Sequence, residues 1–257
     1  MNKKEGNPIQ VAGRLFAAME YLASYGQTSL SQLASALKLS KSTVHRLLES
    51  LQYMGYVRQD VETGRYELTY KLVDLAGQVQ SSADLAAQVR PYLRELMNKS
   101  GETVHFVQLE GTDVVYIDKV ESERNSVRMM SRIGTRLPFY RTGVGKAIAA
   151  GMTDRQVKEL WEQCTIERAT PYTITNLDDF MEAIEEVRRK GYALDNEENE
   201  TGLRCVAAAL RTGAKAGHPQ YAFSISVPIA RMDNDRIREL SQLVLETQRG
   251  IDSCLVS

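Results

Sequence analysis

Three short stretches of helical periodicity within the first 55 residues constrain this chain more than any other feature of its sequence. In the first stretch, the apolar residues between Leu15 and Ala23 fall on one stripe, and the pattern stops before Gly26. The second begins at Ser29, which has a glutamine three residues later, in the spacing of a capping box. The third follows Ser40, a residue type typical of an N-cap. The sequence therefore predicts three short helices in succession.

Two strand-like segments follow these helices. Residues 56–59 and 65–68 lie around a turn that ends in Thr63-Gly64, a pattern that predicts a β-hairpin. A hairpin in this place is a wing, and the order helix, helix, turn, helix, hairpin is typical of a winged helix-turn-helix domain, here over residues 1–70. In such a domain the start of the third helix meets base edges, and basic residues of the hairpin meet phosphate.

The outer face of the third helix is polar, because Val44, Leu47 and Leu48 turn its other face to a core. In the alternative interpretation this is an ordinary solvated helix face, and Arg65 is only a solvent-exposed turn residue that aids solubility. The charge distribution supports DNA binding, since residues 1–71 have a net charge of +3 and the remainder −4. The candidate DNA-contacting residues are Ser40, Lys41, Ser42, Thr43, His45 and Arg46 on the helix and Arg58 and Arg65 on the hairpin.

The cysteine content and the lack of long apolar runs indicate the compartment. The three cysteines are odd in number and have unrelated spacings, which argues against a disulfide framework and fits a reducing environment. Residues 1–10 lack the apolar stretch of a signal peptide, and no later run approaches the ~18 apolar residues of a spanning helix. These observations predict a cytoplasmic protein without a membrane partner.

A helical pattern connects the first domain to the rest of the chain. It runs from Tyr70 to about Met97, with interruptions at Gly77, Ser81-Ser82 and Pro91. We interpret it as a linker helix over residues 71–90, with a break near the serine pair and a second helix that opens a domain over residues 91–257. Pro91 is compatible with a first helical turn or with a kink, because it donates no backbone hydrogen bond.

Beyond Gly101 the periodicity changes from helical to alternating, and strands and helices then interleave. Hairpins at the start and strands near the end favour an antiparallel sheet flanked by helices in one α+β domain. The predicted strands are residues 103–109, 114–120, 127–130, 192–195, 206–210 and 221–227, and the predicted helices are residues 143–150, 153–161, 178–190 and 234–254.

Motifs of catalysis are scarce in this second domain. It contains no GxSxG, P-loop, HExxH or paired CxxC motif. Gly143 and Gly145 open a predicted helix, where bare N–H groups suit a carboxylate or phosphate, although tight packing against the sheet would equally require glycine. His105, on a strand, is better explained as a core or pocket donor than as a metal ligand. No metal or cofactor is predicted.

An acidic run at residues 195–200 lies between two predicted strands. It fits a metal loop, a group of catalytic carboxylates or a solvated acidic loop, and charge runs are usually solvated. Because its ends are anchored, some members must approach the core, and Asp195 and Cys205 are the best candidates. Cys205 is more often a small buried hydrophobe than a nucleophile in such a place.

Two segments resemble the IclR-type transcriptional regulators. Residues 191–208, with Gly191-Tyr192, Asp195-x-Glu197-Glu198 and Gly202-Leu203-Arg204-Cys205, are similar to the signature segment of that family, and residues 39–48 with Gly55-Tyr56-Val57 are similar to its recognition helix and wing entry. The resemblance implies a winged-helix DNA-binding domain, a linker helix and a GAF-like effector domain, assembled as dimers or tetramers on double-stranded operator DNA. It covers nearly the whole chain.

The resemblance also implies which residues bind an effector: Met129, Gly143, Val144, Asp195, Leu203 and Cys205. Residues 173–175 and 196–198 resemble the branch that includes the 2-keto-3-deoxygluconate repressor, which implies a sugar acid or other small carboxylate as the effector. One departure is that Leu210 follows Ala208-Ala209, where a proline commonly follows the two alanines in this family, so the strand and turn after Cys205 are expected to differ.

Two function classes are consistent with these residues. In the first, the chain is a ligand-controlled transcription factor in which a small acid changes how two winged helices are spaced on DNA. The ligand is then a hydroxylated or keto acid, because bare amides at Gly143 attract an anion whereas Asp195 would repel one unless it accepts from ligand hydroxyls. In the second class, Asp195 and Cys205 serve an enzyme, and a protein-sensing module without effector is a third alternative. The first class is favoured.

Overall fold

Helix capping divides the first part of the chain into the elements that its sequence predicts. The computed structural model describes residues 8–81, 84–121, 131–211 and 217–256. The Ser29 side chain accepts from the Gln32 amide in a complete capping box, and the Ser40 side chain accepts from Thr43. The elements are α1 Gln10–Tyr25, α2 Leu30–Leu37, α3 Lys41–Tyr53, β1 Val57–Gln59, β2 Tyr66–Leu68 and α4 Lys71–Ser81.

The first three helices and the hairpin share one apolar core. Leu48 and Leu51 on α3 are fully buried against residues of α1 and α2, and Val57 and Tyr66 bring the hairpin into the same cluster. Strands β1 and β2 pair antiparallel, with Val57 opposite Leu68. The predicted helix, helix, turn, helix and hairpin order is confirmed, and α3 is fixed by its apolar face so that its polar face is exposed.

The chain divides into two compact units, residues 1–82 and 83–257. The second unit contains a six-stranded sheet in the order β5-β4-β3-β8-β7-β6, and every neighbouring pair is antiparallel. Its elements are α5 Asp84–Ser100, β3 Thr103–Glu110, β4 Asp113–Val120, β5 Arg136–Pro138, α6 Gly143–Ala150, α7 Asp154–Glu162, α8 Leu177–Lys190, β6 Ala193–Asn196, β7 Leu203–Ala209, β8 Tyr221–Pro228 and α9 Asn234–Val256.

Both faces of this sheet are covered by helices. Val107 and Ala207 belong to one apolar cluster with residues of α6, α7 and α8, whereas Phe106 and Val206 belong to a second cluster with residues of α5 and α9. Alternate side chains along each strand therefore serve different cores. The prediction of an antiparallel sheet flanked by helices is confirmed.

A β-bulge changes the alternation within β4. Val107 on β3 lies opposite Tyr116, but Phe106 lies opposite Asp118, so Ile117 is an extra residue on β4. As a result Ile117 and Asp118 both lie on the side of α5, where Asp118 forms an ion pair with Arg90, with Oδ1 3.3 Å from Nη1. Tyr116 lies on the side of α6.

The structure differs from the sequence-based expectations in a few places. Pro91 lies in the interior of α5 rather than in its first turn, and β5 is a three-residue strand that the sequence pattern does not predict. β7 begins at Leu203, three residues before the predicted start. The strand predicted at residues 127–130 lies outside the described residues. Among the described helices, none is long and apolar enough to cross a membrane.

Candidate functional site

The start of α3 presents a polar and basic face to solvent. Lys41, Ser42, His45 and Arg46 are exposed, and Thr43 is half-buried. The side chains of Lys41 and Arg46 have no hydrogen bond or ion pair within the described residues, so their charges are available, whereas His45 Nδ1 lies 3.5 Å from the Glu49 carboxylate. These exposed donors are the kind that reads base edges and phosphates.

Ser40 has a structural role as well as its exposed position. Its Oγ accepts from the Thr43 amide at 3.2 Å and lies 3.0 Å from the Ser42 hydroxyl and 2.8 Å from the Thr43 hydroxyl. Three of the predicted DNA-contacting side chains are thus linked in the N-cap of α3. This arrangement holds the first turn of the helix in place.

The two arginines of the hairpin differ in their partners. Arg58 Nε donates to Glu67 Oε1 at 2.7 Å, and Gln27 Nε2 donates to the same carboxylate at 3.0 Å. These two hydrogen bonds lower the pKa of Glu67, Gln27 having the larger effect. Arg65 is exposed, and its side chain has no partner in the described part of the chain. Of the two arginines, Arg65 therefore offers the uncompensated charge.

The second unit contains a cavity of about 210 Å³ between the sheet and the start of α6. One wall consists of side chains on the α6 face of the sheet, and the other consists of the first turn of α6 and the loop after β6. The lining residues are His105, Tyr116, Ser131, Leu137, Thr142, Gly143, Val144, Asp195, Asn199, Glu200, Thr201, Gly202, Leu203, Cys205, Ser224, Ser226 and Pro228.

The first turn of α6 leaves two amides unpaired at the cavity wall. The Thr142 side chain caps the helix by accepting from the Gly145 amide at 3.0 Å. The N–H groups of Gly143 and Val144 have no hydrogen-bond partner within the residues that the structure describes. Exposed amides at a helix N-terminus attract anions.

Both explanations for the two glycines apply, but to different residues. A Cβ on Gly145 would lie 2.0 Å from the Phe139 carbonyl oxygen, so glycine is required there for close packing. A Cβ on Gly143 would lie 3.3 Å from the Asp195 backbone nitrogen, a tight but lesser contact. Gly145 therefore serves packing, whereas Gly143 has its free amide at the cavity.

Asp195 is buried beside the first turn of α6, and its Oδ1 accepts from the Glu198 amide at 2.8 Å. Burial, with the nearby Glu198 carboxylate, raises the pKa of Asp195 to about 7. From sequence, this residue is expected to be a charged acceptor. Near neutral pH its carboxyl group is instead protonated in a large fraction of molecules, so it repels an anion less and also donates a hydrogen bond.

The acidic run after Asp195 is anchored rather than solvated. Lys146 forms an ion pair with Glu198, and its Nζ also donates to the Leu194 carbonyl at 2.6 Å. Thr173 Oγ1 donates to the Glu198 carbonyl at 2.7 Å, and Thr170 Oγ1 donates to the Glu197 carbonyl at 2.6 Å. Glu197 and Glu198 are buried, which the sequence-based expectation did not include. The signal that could have found them is the lysine in the otherwise apolar α6, because a buried lysine requires a buried partner.

His105 lies at the centre of the sheet wall. Its Nδ1 is 3.1 Å from Ser226 Oγ, its Nε2 is 2.7 Å from Ser131 Oγ, and its ring stacks on Tyr116 with centroids 4.8 Å apart. Burial lowers the pKa of His105 to about 4, and Lys119 adds to this effect, so the imidazole is neutral at pH 7. The interpretation of this residue as a pocket donor fits these contacts.

Cys205 is also at this wall, with its Sγ 3.2 Å from Ser226 Oγ. Burial raises the pKa of the Cys205 thiol, and the Asp195 carboxylate raises it further. The group therefore keeps its proton and is a poor nucleophile. Among the described residues, no group of histidine, cysteine and carboxylate side chains is suited to hold a metal ion.

Five of the six predicted effector residues, all except Met129, line this single cavity. Met129 lies outside the described residues. Sequence reasoning missed most of the sheet wall, above all Tyr116, Ser224 and Ser226. The two serines had a detectable signal, because they alternate with apolar residues in β8 and therefore share one face of an otherwise apolar strand.

A helix-turn-helix unit with an exposed polar helix, in one chain with a body that encloses a polar cavity, defines a DNA-binding protein with a site for a small ligand. The chain belongs to the IclR family of bacterial transcriptional regulators: residues 11–61 match the IclR helix-turn-helix domain, and residues 77–253 match the bacterial transcriptional regulator IclR C-terminal domain. It is thus a transcriptional regulator controlled by an effector rather than an enzyme.

Curated relatives and solved structures are similar over nearly the whole chain. The HTH-type transcriptional regulator KdgR of Escherichia coli K12 is 33% identical over 97% of this chain and 94% of its own length. The transcriptional repressor IclR of the same strain is 34% identical over 95% of this chain and 89% of its own length. A crystal structure of the Thermotoga maritima IclR has a TM-score of 0.82 at 31% identity and covers 96% of this chain and 98% of that one.

Proposed function

We propose that this regulator binds a small hydroxylated or keto carboxylic acid, such as a sugar acid, in the cavity beside α6 and that the ligand changes its affinity for an operator. The observation that carries the proposal is the pair of unpaired amides, Gly143 and Val144, facing a wall of hydroxyl and carboxyl groups. The amides suit the carboxylate of the ligand, and the polar wall suits its hydroxyl or keto oxygens.

Asp195, Leu203 and Cys205 complete the site in this proposal. Asp195, with its pKa near 7, exchanges hydrogen bonds with a ligand hydroxyl, and Leu203 and Cys205 contact its carbon chain. Met129 is proposed as a further contact on the strength of the family resemblance alone. A monocarboxylate fits better than a dicarboxylate, since the described lining has no lysine or arginine to balance a second negative charge.

On the DNA side, we propose that α3 enters the major groove and that the hairpin contacts phosphate. Arg46 and Lys41 offer unpaired charge on the exposed face of the helix, and Arg65 does so on the hairpin. The remaining proposed contacts are Ser40, Ser42, Thr43, His45 and Arg58. Two heads would act together in a dimer or tetramer, in the cytoplasm, with residues 71–90 as the linker, and the regulator would act as a repressor.

A ligand screen tests the cavity proposal. Each of a set of sugar acids and small hydroxy or keto acids is compared with its uncharged amide in thermal-shift measurements on the full chain. We expect an acid to raise the melting temperature and its amide not to, because a ligand that binds the native state stabilises it. Equal shifts from acid and amide would refute a carboxylate site at α6.

The Asp195→Ala variant connects the screen to the site. With an acid found in the screen, we expect calorimetry to show a loss of ~1–3 kcal/mol in binding, because a hydrogen bond to the ligand is removed. DNA affinity without ligand serves as the control and should stay within about twofold, a change of less than ~0.5 kcal/mol. Unchanged ligand affinity together with a collapse of DNA binding would make Asp195 a structural residue instead.

A further inference from the structure

The segment between the hairpin and α4 contacts the carboxyl end of α3. Lys71, the first residue of α4, donates from Nζ to the Met54 carbonyl at 2.6 Å, and the same atom lies 4.6 Å from the centre of the Tyr56 ring. Thr69 Oγ1 donates to the Gly55 carbonyl at 2.6 Å, and the Thr69 amide donates to the Tyr56 carbonyl at 2.9 Å. We call these four contacts the α3–α4 joint.

The joint uses groups that the end of a helix leaves free. The last carbonyls of an α-helix have no partner within the helix, and they carry partial negative charge. Met54 is the C-cap of α3, and Gly55 follows it with a φ of 79°, the left-handed conformation that ends many helices. The ammonium group of Lys71 at this end therefore gains both a hydrogen bond and a favourable interaction with the helix dipole.

Within the described residues, α4 is attached to the first unit mainly at its beginning. Leu72 is half-buried, but residues 73–78 are exposed, and no described residue of α4 belongs to the apolar core of that unit. A helix that is attached by its first residues changes its angle only when the contacts there open. The α3–α4 joint therefore fixes the direction of α4 relative to α3.

We infer that Lys71 is a positioning residue for operator binding: it holds α4 at a fixed angle to α3, so that two heads, the first units of two copies, accept one spacing of half-sites. This inference rests on the proposed function, in which α3 reads DNA and α4 belongs to the linker. Heads that meet half-sites at another separation must turn against α4, and this turn opens the joint in one head or in both. The contacts of the joint thus set the cost of a wrong spacing.

The experiment compares DNA duplexes that differ only in the separation of their half-sites. The half-site is taken from duplexes that the full wild-type chain selects from a randomised pool. Pairs of it are built at the selected separation and at separations one and two base pairs longer or shorter. Two base pairs turn a half-site by ~70° about the DNA axis. In mobility-shift titrations, we expect the wild type to bind the selected spacing ~10-fold or more tightly than spacings changed by two base pairs, because hydrogen bonds of the joint have to open.

Lys71→Met keeps the length of the side chain and removes its ammonium group. We expect the preference for the selected spacing to fall by ~3-fold or more, the effect of one hydrogen bond, while affinity for a duplex with a single half-site stays within about twofold. Lys71→Arg should restore the preference, because a guanidinium group also donates to a carbonyl and stacks on an aromatic ring. Thr69→Val removes the second side-chain donor of the joint and should act in the same direction as Lys71→Met.

Lys38→Met is the matched control, since Lys38 is an exposed lysine of the same unit that is not part of the joint, and it should leave the preference for spacing unchanged. An unchanged preference in Lys71→Met would overturn the inference, as would equal binding of the wild type at every spacing. Weaker half-site binding with an unchanged preference would also overturn it and make Lys71 a phosphate contact. If the wild type selects no sequence from the pool, the proposed DNA recognition itself fails, so the two failures are distinguishable.

Discussion

At the scale of single residues, the cavity depends on groups whose protonation differs from that in water. Asp195 and His105 both line one small cavity, and burial favours the neutral form of each. The neutral form of Asp195 suits a site for an anion, because it removes a negative charge that would repel the ligand. The contributions of Asp195 and His105 to the free energy of unfolding change in opposite directions as the pH rises.

Asp195→Asn is expected to remove one pH dependence of stability. The folded pKa of about 7 lies above the unfolded value of ~3.9, so the native state holds more protons than the unfolded state between these values. The contribution of Asp195 is therefore present below pH ~4 and is lost as the pH rises to about 7. Melting temperatures of variant and wild type from pH 4 to 8 should diverge in favour of the variant.

His105 makes the comparison between variant and wild type necessary, because the melting temperature of the wild type alone combines the pH dependence of both groups. Its folded pKa of about 4 lies below the unfolded value of ~6.5, so its contribution to stability increases with pH over the same acidic range. It is present in both proteins and cancels in the difference. A constant difference in melting temperature across the range would contradict the raised pKa of Asp195.

At the scale of elements, the ion pair between Lys146 of α6 and Glu198 anchors the loop after β6. Both side chains are buried, and Glu198 Oε2 has no hydrogen-bond partner in the described part of the chain. We expect Lys146→Met to cost ~3–5 kcal/mol in the free energy of unfolding, because it leaves a buried carboxylate without its cation. Urea titration measures this cost.

The double variant Lys146→Met with Glu198→Gln is the matched control for that measurement. It removes both charges, so most of the lost stability should return. If the single and double variants are equally unstable, packing of the lysine stem rather than charge explains the cost.

The two basic surfaces of the first unit should differ in what they recognise. Arg46→Ala is expected to weaken specific operator binding by ~1–3 kcal/mol and to relax base preference, because a helix side chain in the groove reads bases. Arg65→Ala should weaken specific and nonspecific binding alike and flatten the salt dependence. Mobility-shift titrations at several salt concentrations separate these effects.

Arg58→Ala is the control for the hairpin. Glu67 already neutralises Arg58, so its removal should change the salt dependence less than the removal of Arg65 does. Full operator affinity in both Arg46→Ala and Arg65→Ala would refute the proposed DNA-binding surface.

The local sequence pattern was sufficient to predict most helices and strands. It was not sufficient to predict which strands pair with each other. The capping residues Ser29 and Ser40 and the apolar stripe of α3 fixed the first unit, because these signals act within a few residues. The sheet order and the short strand β5, which ends at Pro138, depend on partners distant in the chain. For the same reason the sheet wall at Tyr116 and Ser226 was missed, although five of the six residues implied by the family resemblance line the cavity.

At the scale of the whole molecule, the proposed function requires more than one copy of the chain. One recognition helix contacts only a few base pairs, too few to specify a site in a genome, so two heads should bind half-sites of a pseudo-palindrome. Light scattering of the pure protein should show a dimer or tetramer. A monomer that protects a single asymmetric half-site in footprinting would contradict this expectation.

The bulge at Ile117 has a consequence for how the chain tolerates changes in length. Loss of one residue from a strand ordinarily turns every later side chain to the opposite face. Deletion of Ile117 would instead leave Tyr116 and Lys119 facing the cavity side and Asp118 facing Arg90, because the deletion would only restore regular pairing with β3. We therefore expect β4 to tolerate the loss of one residue at the bulge while the chain keeps both the cavity wall and the attachment of α5.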